Sequence, residues 1–221
     1  MLEILLIRHG ETDWNAEKRM QGHLDIALNA AGLAQAAALG RALRNEPLDA
    51  IFSSDLQRAL QTAQALAAGR DLTIGIDAGL RERCFGVFEG LLYADMATAH
   101  PDAYRAWKAR EPDARFPPGV NAAETLREFS ARVLATINRL AAAHAGIHKK
   151  IALVTHGGVL ECAHRAATGA PLQDARDFDI LNASINRLGW TPAGMQVLGW
   201  GDVRHLQAEP LPAGVLDEID R

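Results

Sequence analysis

The chain has 221 residues, of which 48% are hydrophobic and 23% charged, and carries a formal net charge of −4. That length supports one domain with a substantial core, and the balance is that of a globular protein. The negative charge excludes bulk attraction to nucleic acid or to an anionic membrane, so any site for an anion must gather its positive charge locally.

The start, Met1 to Ile7, contains Glu3, lacks a basic segment and meets Arg8 at once. It reads as the beginning of a strand and not as a signal peptide. Ile4 to Arg8 is a continuous apolar run, the pattern of a central strand covered on both faces. Asn29 can cap a helix whose apolar face takes in Leu33, Ala36, Ala37, Gly40 and Leu43. Ala50 to Ser53 is a second strand, after which Ser54 caps a helix carrying Ala59, Leu60, Ala63, Leu66 and Ala67. Thr73 to Ile76 is a third strand. Tyr93 to Arg110 carries helical signals and Pro112 to Gly119 is a Pro-rich loop. Asn121 and Glu124 have capping-box spacing and open a long helix with Leu126, Phe129, Val133, Ile137, Leu140 and His144 on one stripe. Ile151 to Val154 is the next buried strand, followed by a helix to about Thr168. Phe178 to Leu198 suggests short strands, and Pro210 to Arg221 a loosely held end.

This alternation predicts an α/β fold, a three-layer sandwich with a mostly parallel central sheet and helices on both faces. One domain is expected over residues 1–210, with 211–221 as a tail. No apolar stretch approaches the ~20 residues of a membrane helix. Two cysteines, Cys84 and Cys162, are too few for a disulfide framework and fit a reducing, cytoplasmic compartment. Cys84 is read as a small buried filler. No histidine pair has tight metal-ligand spacing, so neither a metal site nor a cofactor is expected. A homodimer is the base-rate expectation for oligomeric state.

Two strands end alike. The first runs into Arg8-His9-Gly10-Glu11-Thr12 and the fourth into Thr155-His156-Gly157-Gly158. Ligands of parallel sheets bind beyond the carboxyl ends of strands, so both histidines belong at one edge. Arg58 lies in the first turn of the helix after the second strand and comes to the same edge. Two guanidinium groups and two imidazoles make a compact cationic pocket suited to a phosphoryl group. Taken singly, each motif is an ordinary strand end, turn or surface arginine; their joint placement carries the reading.

Further residues carry a resemblance. Arg8-His9-Gly10-Glu11-Thr12, Trp14-Asn15, Gln21-Gly22 and Asp25, then Ser53-Ser54-Asp55-Leu56 with Arg58-Ala59, Leu80-Arg81-Glu82-Arg83 with Phe85-Gly86 and Glu89-Gly90, Val154 to Gly158, and Asn182 with Ser184-Ile185 occur in this order. Over about residues 3–190 the chain resembles the histidine phosphatase superfamily in its phosphoglycerate mutase-like branch. The resemblance implies that His9 is the nucleophile, that Arg8, Arg58 and His156 bind the phosphoryl oxygens, and that Glu82 passes the proton to the leaving oxygen. It implies substrate or phosphate contacts for Asn15, Gln21, Gly22, Arg83 and, with the turn after His156, Gly157. Such chemistry needs an unprotonated ring nitrogen on His9, with the other nitrogen protonated and bonded to an acceptor. It needs positioning and charge neutralisation more than a metal. Glu11, at a helix start, is read as structural. The chain departs from the family in Gly119 to Thr125, where a glycine pair is missing while Glu124-Thr125 remains.

Three functions stand at this point. The first is a metal-independent phosphatase acting on a small phosphorylated metabolite. A cofactor-dependent phosphoglycerate mutase would use the same pocket but commonly has a longer middle segment than Tyr93 to Gly119. A phospho-ligand binding protein without catalysis is disfavoured by the full set Arg8, His9, Arg58, Glu82 and His156.

Overall fold

The computed structural model describes residues 1–207. The expectations for Pro210 to Arg221 and for a domain boundary at residue 210 lie outside those residues. In chain order the elements are β1 (Leu2–Arg8), α1 (Asp13–Ala16), α2 (Ala30–Ala42), β2 (Ala50–Ser53), α3 (Gln57–Ala67), β3 (Ile74–Ile76), α4 (Tyr93–Ala99), α5 (Pro101–Lys108), α6 (Leu126–His144), β4 (Lys150–Thr155), α7 (Gly157–Thr168), β5 (Ile185–Thr191) and β6 (Gly194–Asp202).

One sheet runs in the order β3-β2-β4-β1-β5-β6. The first four strands are parallel, and β5 and β6 close the sheet as an antiparallel hairpin beside β1. The fold is the expected α/β type with a mostly parallel sheet. Alternation along β1 explains the layers: Leu2, Ile4 and Leu6 join a core with Phe129, Val133 and Ile137 of α6 and Val159 and Leu160 of α7. Leu5 and Ile7 face the other way, into a core with Leu39 of α2 and Ala59, Ala63 and Leu66 of α3. Each such fully buried Leu or Ile contributes ~1.5–3 kcal/mol, which is why a strand apolar at every position settles in the middle of a sandwich. No helix among the described residues is long and apolar enough to cross a membrane.

Several local expectations need correction. Asn29 does cap α2, accepting from Gly32 N at 2.8 Å. The buried stripe of α2, however, is Gly32, Gln35, Ala36 and Leu39, while Leu33 is 51% exposed. Polar Gln35 is drawn inside because its amide oxygen accepts from Glu11 N at 2.8 Å. Ser54 is not the cap of α3; that helix begins at Gln57, whose backbone N–H donates to Asp25 Oδ1 at 2.7 Å. A loop distant in sequence thus does the capping, which no local pattern reveals.

The stretch Tyr93 to Arg110 is helical as expected, in two helices parted at His100, because Pro101 disfavours helical backbone in the residue before it. The box that opens α6 is Thr125 with Glu128, one turn later than the Asn121–Glu124 spacing suggested. Asn121 and Glu124 bond elsewhere, to Glu89 and Arg132 respectively. The tail strands begin only at Ile185 and extend to Asp202; Phe178 to Ser184 is irregular.

A third apolar cluster, with Met20, Phe88, Met96 and Phe116 at its centre, joins α4 and α5 through Tyr93, Tyr104 and Trp107. It builds the wall that faces the carboxyl ends of β1, β2 and β4.

Candidate active site

Strand order decides which side chains meet. With β4 between β1 and β2, the residues following these three strands are neighbours: His9 N donates to Thr155 O at 2.9 Å and Ser54 N to Val154 O at 3.0 Å. The His9 and His156 rings lie 5.1 Å apart between centroids at 60°. A pocket opens at this edge, and Arg8, His9, Asn15, Gln21, Gly22, Arg58, Glu82, Arg83 and Gly157 all line it. The sequence-predicted residues are therefore together, with one difference in depth. His156 is completely buried and sits behind the wall, its Nδ1 accepting from Arg58 Nε at 3.2 Å and its Nε2 paired with Ser54 Oγ at 2.9 Å.

His9 Nδ1 lies 2.7 Å from the Gly10 carbonyl oxygen. A carbonyl only accepts, so Nδ1 carries the proton and Nε2 keeps its lone pair. Burial, then the charges of Arg58 and Arg8, hold the His9 ring well below its ordinary value of 6.5. His156 is depressed likewise, by burial first and then by Arg58. Arg58 is pinned at both ends, giving Nη1 to Leu24 O at 2.9 Å and Nη2 to Gly22 O at 2.7 Å. Burial lowers its pKa to about 10, so it stays a cation at neutral pH. Arg8 donates to Ile180 O at 2.6 Å.

Both depressed histidines are neutral when folded and take up a proton on unfolding below about pH 6.5. Their contribution to stability is therefore complete above that pH and is lost as pH falls beneath it. Each should add a slope of about 1.4 kcal/mol per pH unit in that range. Urea midpoints from pH 7.5 down to 5 should show this fall, and His9→Gln should remove about one proton from the slope; an unchanged slope would place a proton on His9 in the folded state.

Glu82 enters from the segment after β3. Its Oε1 accepts from Arg83 N at 2.7 Å and its Oε2 from Gly158 N, at the start of α7, at 2.9 Å. Gly158 is required for this approach, since a Cβ there would lie 2.2 Å from Glu82 Oε1. The same Cβ would press on the Phe129 ring at 2.9 Å, so both clashes fall on side chains and not on backbone. Gly158→Ala should therefore keep its far-UV spectrum but move the carboxyl, lowering kcat on phosphate esters ~10–100-fold. Wild-type kcat in that variant would mean the acid has room to spare.

Asn15 has a second task. Its Oδ1 accepts from Thr12 N and from Thr12 Oγ1, both at 2.9 Å, which closes the capping box of α1. Gly22 has φ +53°, and a Cβ there would fall 2.0 Å from Glu89 Oε1, which also holds His23 N at 2.8 Å. Glu89 is thus a brace for the Gln21-Gly22 turn. Glu11 is structural as read, accepting from Asn29 Nδ2 at 2.9 Å. Cys84 is buried, and burial pushes its thiol up to about 12.

The sequence reading missed the far wall. Tyr93 and Trp107 from α4 and α5, with Arg110, Leu126, Phe129 and Glu161, complete the pocket. Arg83, 6% exposed, lies 4.7 Å over the Phe116 ring and gives Nε to Glu124 O at 3.0 Å, but its buried Nη2 has no partner. Arg110 is near enough to depress it further, after the dominant effect of burial. Arg110 occupies the left-handed region at φ +52°, where glycine is the usual choice after a helix, and its guanidinium pairs with Glu161 and with Leu172 O.

The chain has relatives among known proteins. Residues 4–203 match the model of the histidine phosphatase superfamily (branch 1). Phosphoglycerate mutase-like protein 4 of Arabidopsis thaliana is 40% identical over 215 residues, spanning 93% of this chain and 87% of the relative. The metal-independent phosphoserine phosphatase of the same plant is 35% identical over 208 residues, spanning 93% and 84%. The solved structure of phosphoserine phosphatase from Entamoeba histolytica in complex with 3-phosphoglyceric acid matches with TM-score 0.80 at 25% identity, over 93% of this chain and 100% of that one.

Proposed function

This chain belongs to the histidine phosphatase superfamily, and from that membership we propose that it is a phosphatase hydrolysing a small phosphorylated acid through a phosphohistidine on His9. The observation that carries the reading is His9 itself: a neutral imidazole with Nδ1 committed to Gly10 O, on the wall of a pocket that Arg8 and Arg58 also line.

In the proposed reaction Nε2 attacks phosphorus in line, and the bond from phosphorus to the ester oxygen breaks. Arg8 and Arg58 neutralise the oxygens as charge shifts. His156 holds Arg58 Nε and so sets the plane of its guanidinium. The departing alkoxide takes a proton from Glu82; Glu82 then accepts one from the water that attacks phosphorus, and the bond from phosphorus to Nε2 breaks, releasing phosphate and restoring His9. Asn15, Gln21, Gly22 and Gly157 border the substrate.

The far wall supports the choice of an acid. The unpartnered Nη2 of Arg83, with Arg110 nearby, offers a second cationic point on the pocket wall. A carboxylate at the other end of the substrate would satisfy that donor. The relatives named for phosphoserine and bound to 3-phosphoglyceric acid handle molecules of this type. A mutase reading is kept because a 40% identical relative bears a mutase-like name.

The test is a panel of phosphoserine, 3-phosphoglycerate, glycerol phosphate and phosphoethanolamine, scored for free phosphate and for interconversion of 2- and 3-phosphoglycerate. Release from the two carboxylated esters at kcat/KM ~10-fold or more above the others is the expected result. Interconversion outpacing release would make the chain a mutase, and indifference to the carboxylate would remove the second cationic point from the reading.

A further inference from the structure

We propose that Arg132 is a positioning residue that holds the Glu82 carboxyl in register with the leaving oxygen; this rests on the proton-carrying role of Glu82 given above. Arg132 lies on α6, outside the residues that line the pocket, and touches no reacting group.

The segment carrying Glu82 has little regular structure. One 3₁₀ turn, Ala78–Leu80, precedes it and another, Gly86–Phe88, follows. Its backbone oxygens need partners from elsewhere. Arg132 supplies them in a row: Nη1 donates to Gly79 O at 2.9 Å and Arg81 O at 3.1 Å, and Nη2 to Glu82 O at 3.0 Å. The same guanidinium grips Glu124, Nε to Oε1 at 2.7 Å and Nη2 to Oε2 at 2.8 Å. Glu124 closes the far side, accepting Cys84 N at 3.0 Å on Oε2 and Arg83 Nε at 3.0 Å on its carbonyl oxygen.

The backbone on both sides of Glu82 is therefore referred to one rigid plane on a 19-residue helix. That helix also brings Phe129 to the pocket, and the Arg132 guanidinium lies 5.1 Å over the Phe129 ring. Lysine could replace the charge but not the fork, because one ammonium cannot serve carbonyls and carboxylate along a plane. His23 Nε2 meets the same Glu82 carbonyl at 2.8 Å, so loss of the fork loosens the segment without freeing it.

A displaced acid slows only steps that need its proton. Nitrophenolate leaves as an anion, whereas phenolate leaves more readily when protonated. The experiment measures kcat and KM for p-nitrophenyl phosphate and phenyl phosphate in the wild type, Arg132→Lys, Glu82→Gln and the double variant. Arg132→Lys should lower kcat on phenyl phosphate ~10-fold or more and on the nitrophenyl ester less than ~3-fold, with KM nearly unchanged. In the Glu82→Gln background the same change should have almost no further effect, since the group it positions is gone.

Equal loss on both esters, or undiminished loss in the double variant, would overturn the proposal and leave Arg132 a stabilising residue. Glu82→Gln alone separates the two layers: if it fails to discriminate between the esters, the role of Glu82 falls and the clamp with it. Should Arg132→Lys not fold, Glu124→Gln removes the carboxylate on which the fork is seated. It should give the same selective loss, and an equal loss on both esters would overturn the proposal there too.

Discussion

His9→Ala is expected to lower kcat by on the order of 10⁴-fold or more, on every phosphate ester and at every pH, because among the described residues no second imidazole lines the pocket to take the phosphoryl unit in its place. Arg8 and Arg58 cannot act as nucleophiles, and both nitrogens of His156 are engaged, by Arg58 and Ser54. The fold should survive. Among the described residues, the His9 side chain bonds only to the adjacent Gly10 carbonyl. The vacated volume opens on a pocket that water can fill, so the cost of an empty cavity does not arise. The measurement is turnover of p-nitrophenyl phosphate beside a melting curve, with acid-labile phosphate trapped on the wild type only. Activity within tenfold of wild type would remove His9 from the mechanism.

Arg58→Lys is the second large effect, expected at ~10²–10³-fold in kcat. Arg58 is 1% exposed, and its guanidinium meets three acceptors: Gly22 O and Leu24 O from the turn before α2, and His156 Nδ1 from the end of β4. A lysine ammonium, shorter and without the fork, cannot meet all three and still face a phosphoryl oxygen. The substitution should therefore also cost stability, about 1–3 kcal/mol for each buried acceptor left without a donor. Urea unfolding separates that cost from the catalytic one, since kcat is measured where the variant is still folded. A kcat within threefold of wild type would show that Arg8 alone suffices.

β1 was legible because the four consecutive apolar residues Ile4 to Ile7 have only one place to go in an α/β protein. The two His-Gly strand ends were legible because parallel strands deliver their carboxyl ends to one edge. The cap of α3 was not, because Asp25 reaches Gln57 across 32 positions of sequence. Nor was the buried face of α2, where Gln35 satisfies a backbone N–H that only the folded loop brings near. The start of α6 slipped because Asn121–Glu124 and Thr125–Glu128 share the same spacing, and only the demands of Glu89 and Arg132 on the first pair decide between them.

What the sequence determined by itself, then, is the α/β class, the strand that would be central and the basic and imidazole side chains that one sheet edge would collect. Those follow from periodicity and from rules of chain direction, which are local or nearly so. The tertiary structure alone decided the depth of His156 behind Arg58, the tautomer of His9, the second cationic point at Arg83 with Arg110 nearby, and the Arg132 fork behind Glu82. The tautomer rests on the local turn that brings the Gly10 carbonyl to the ring; the others depend on hydrogen bonds or charges between segments tens of residues apart, and such contacts have no period in the chain from which they could be read.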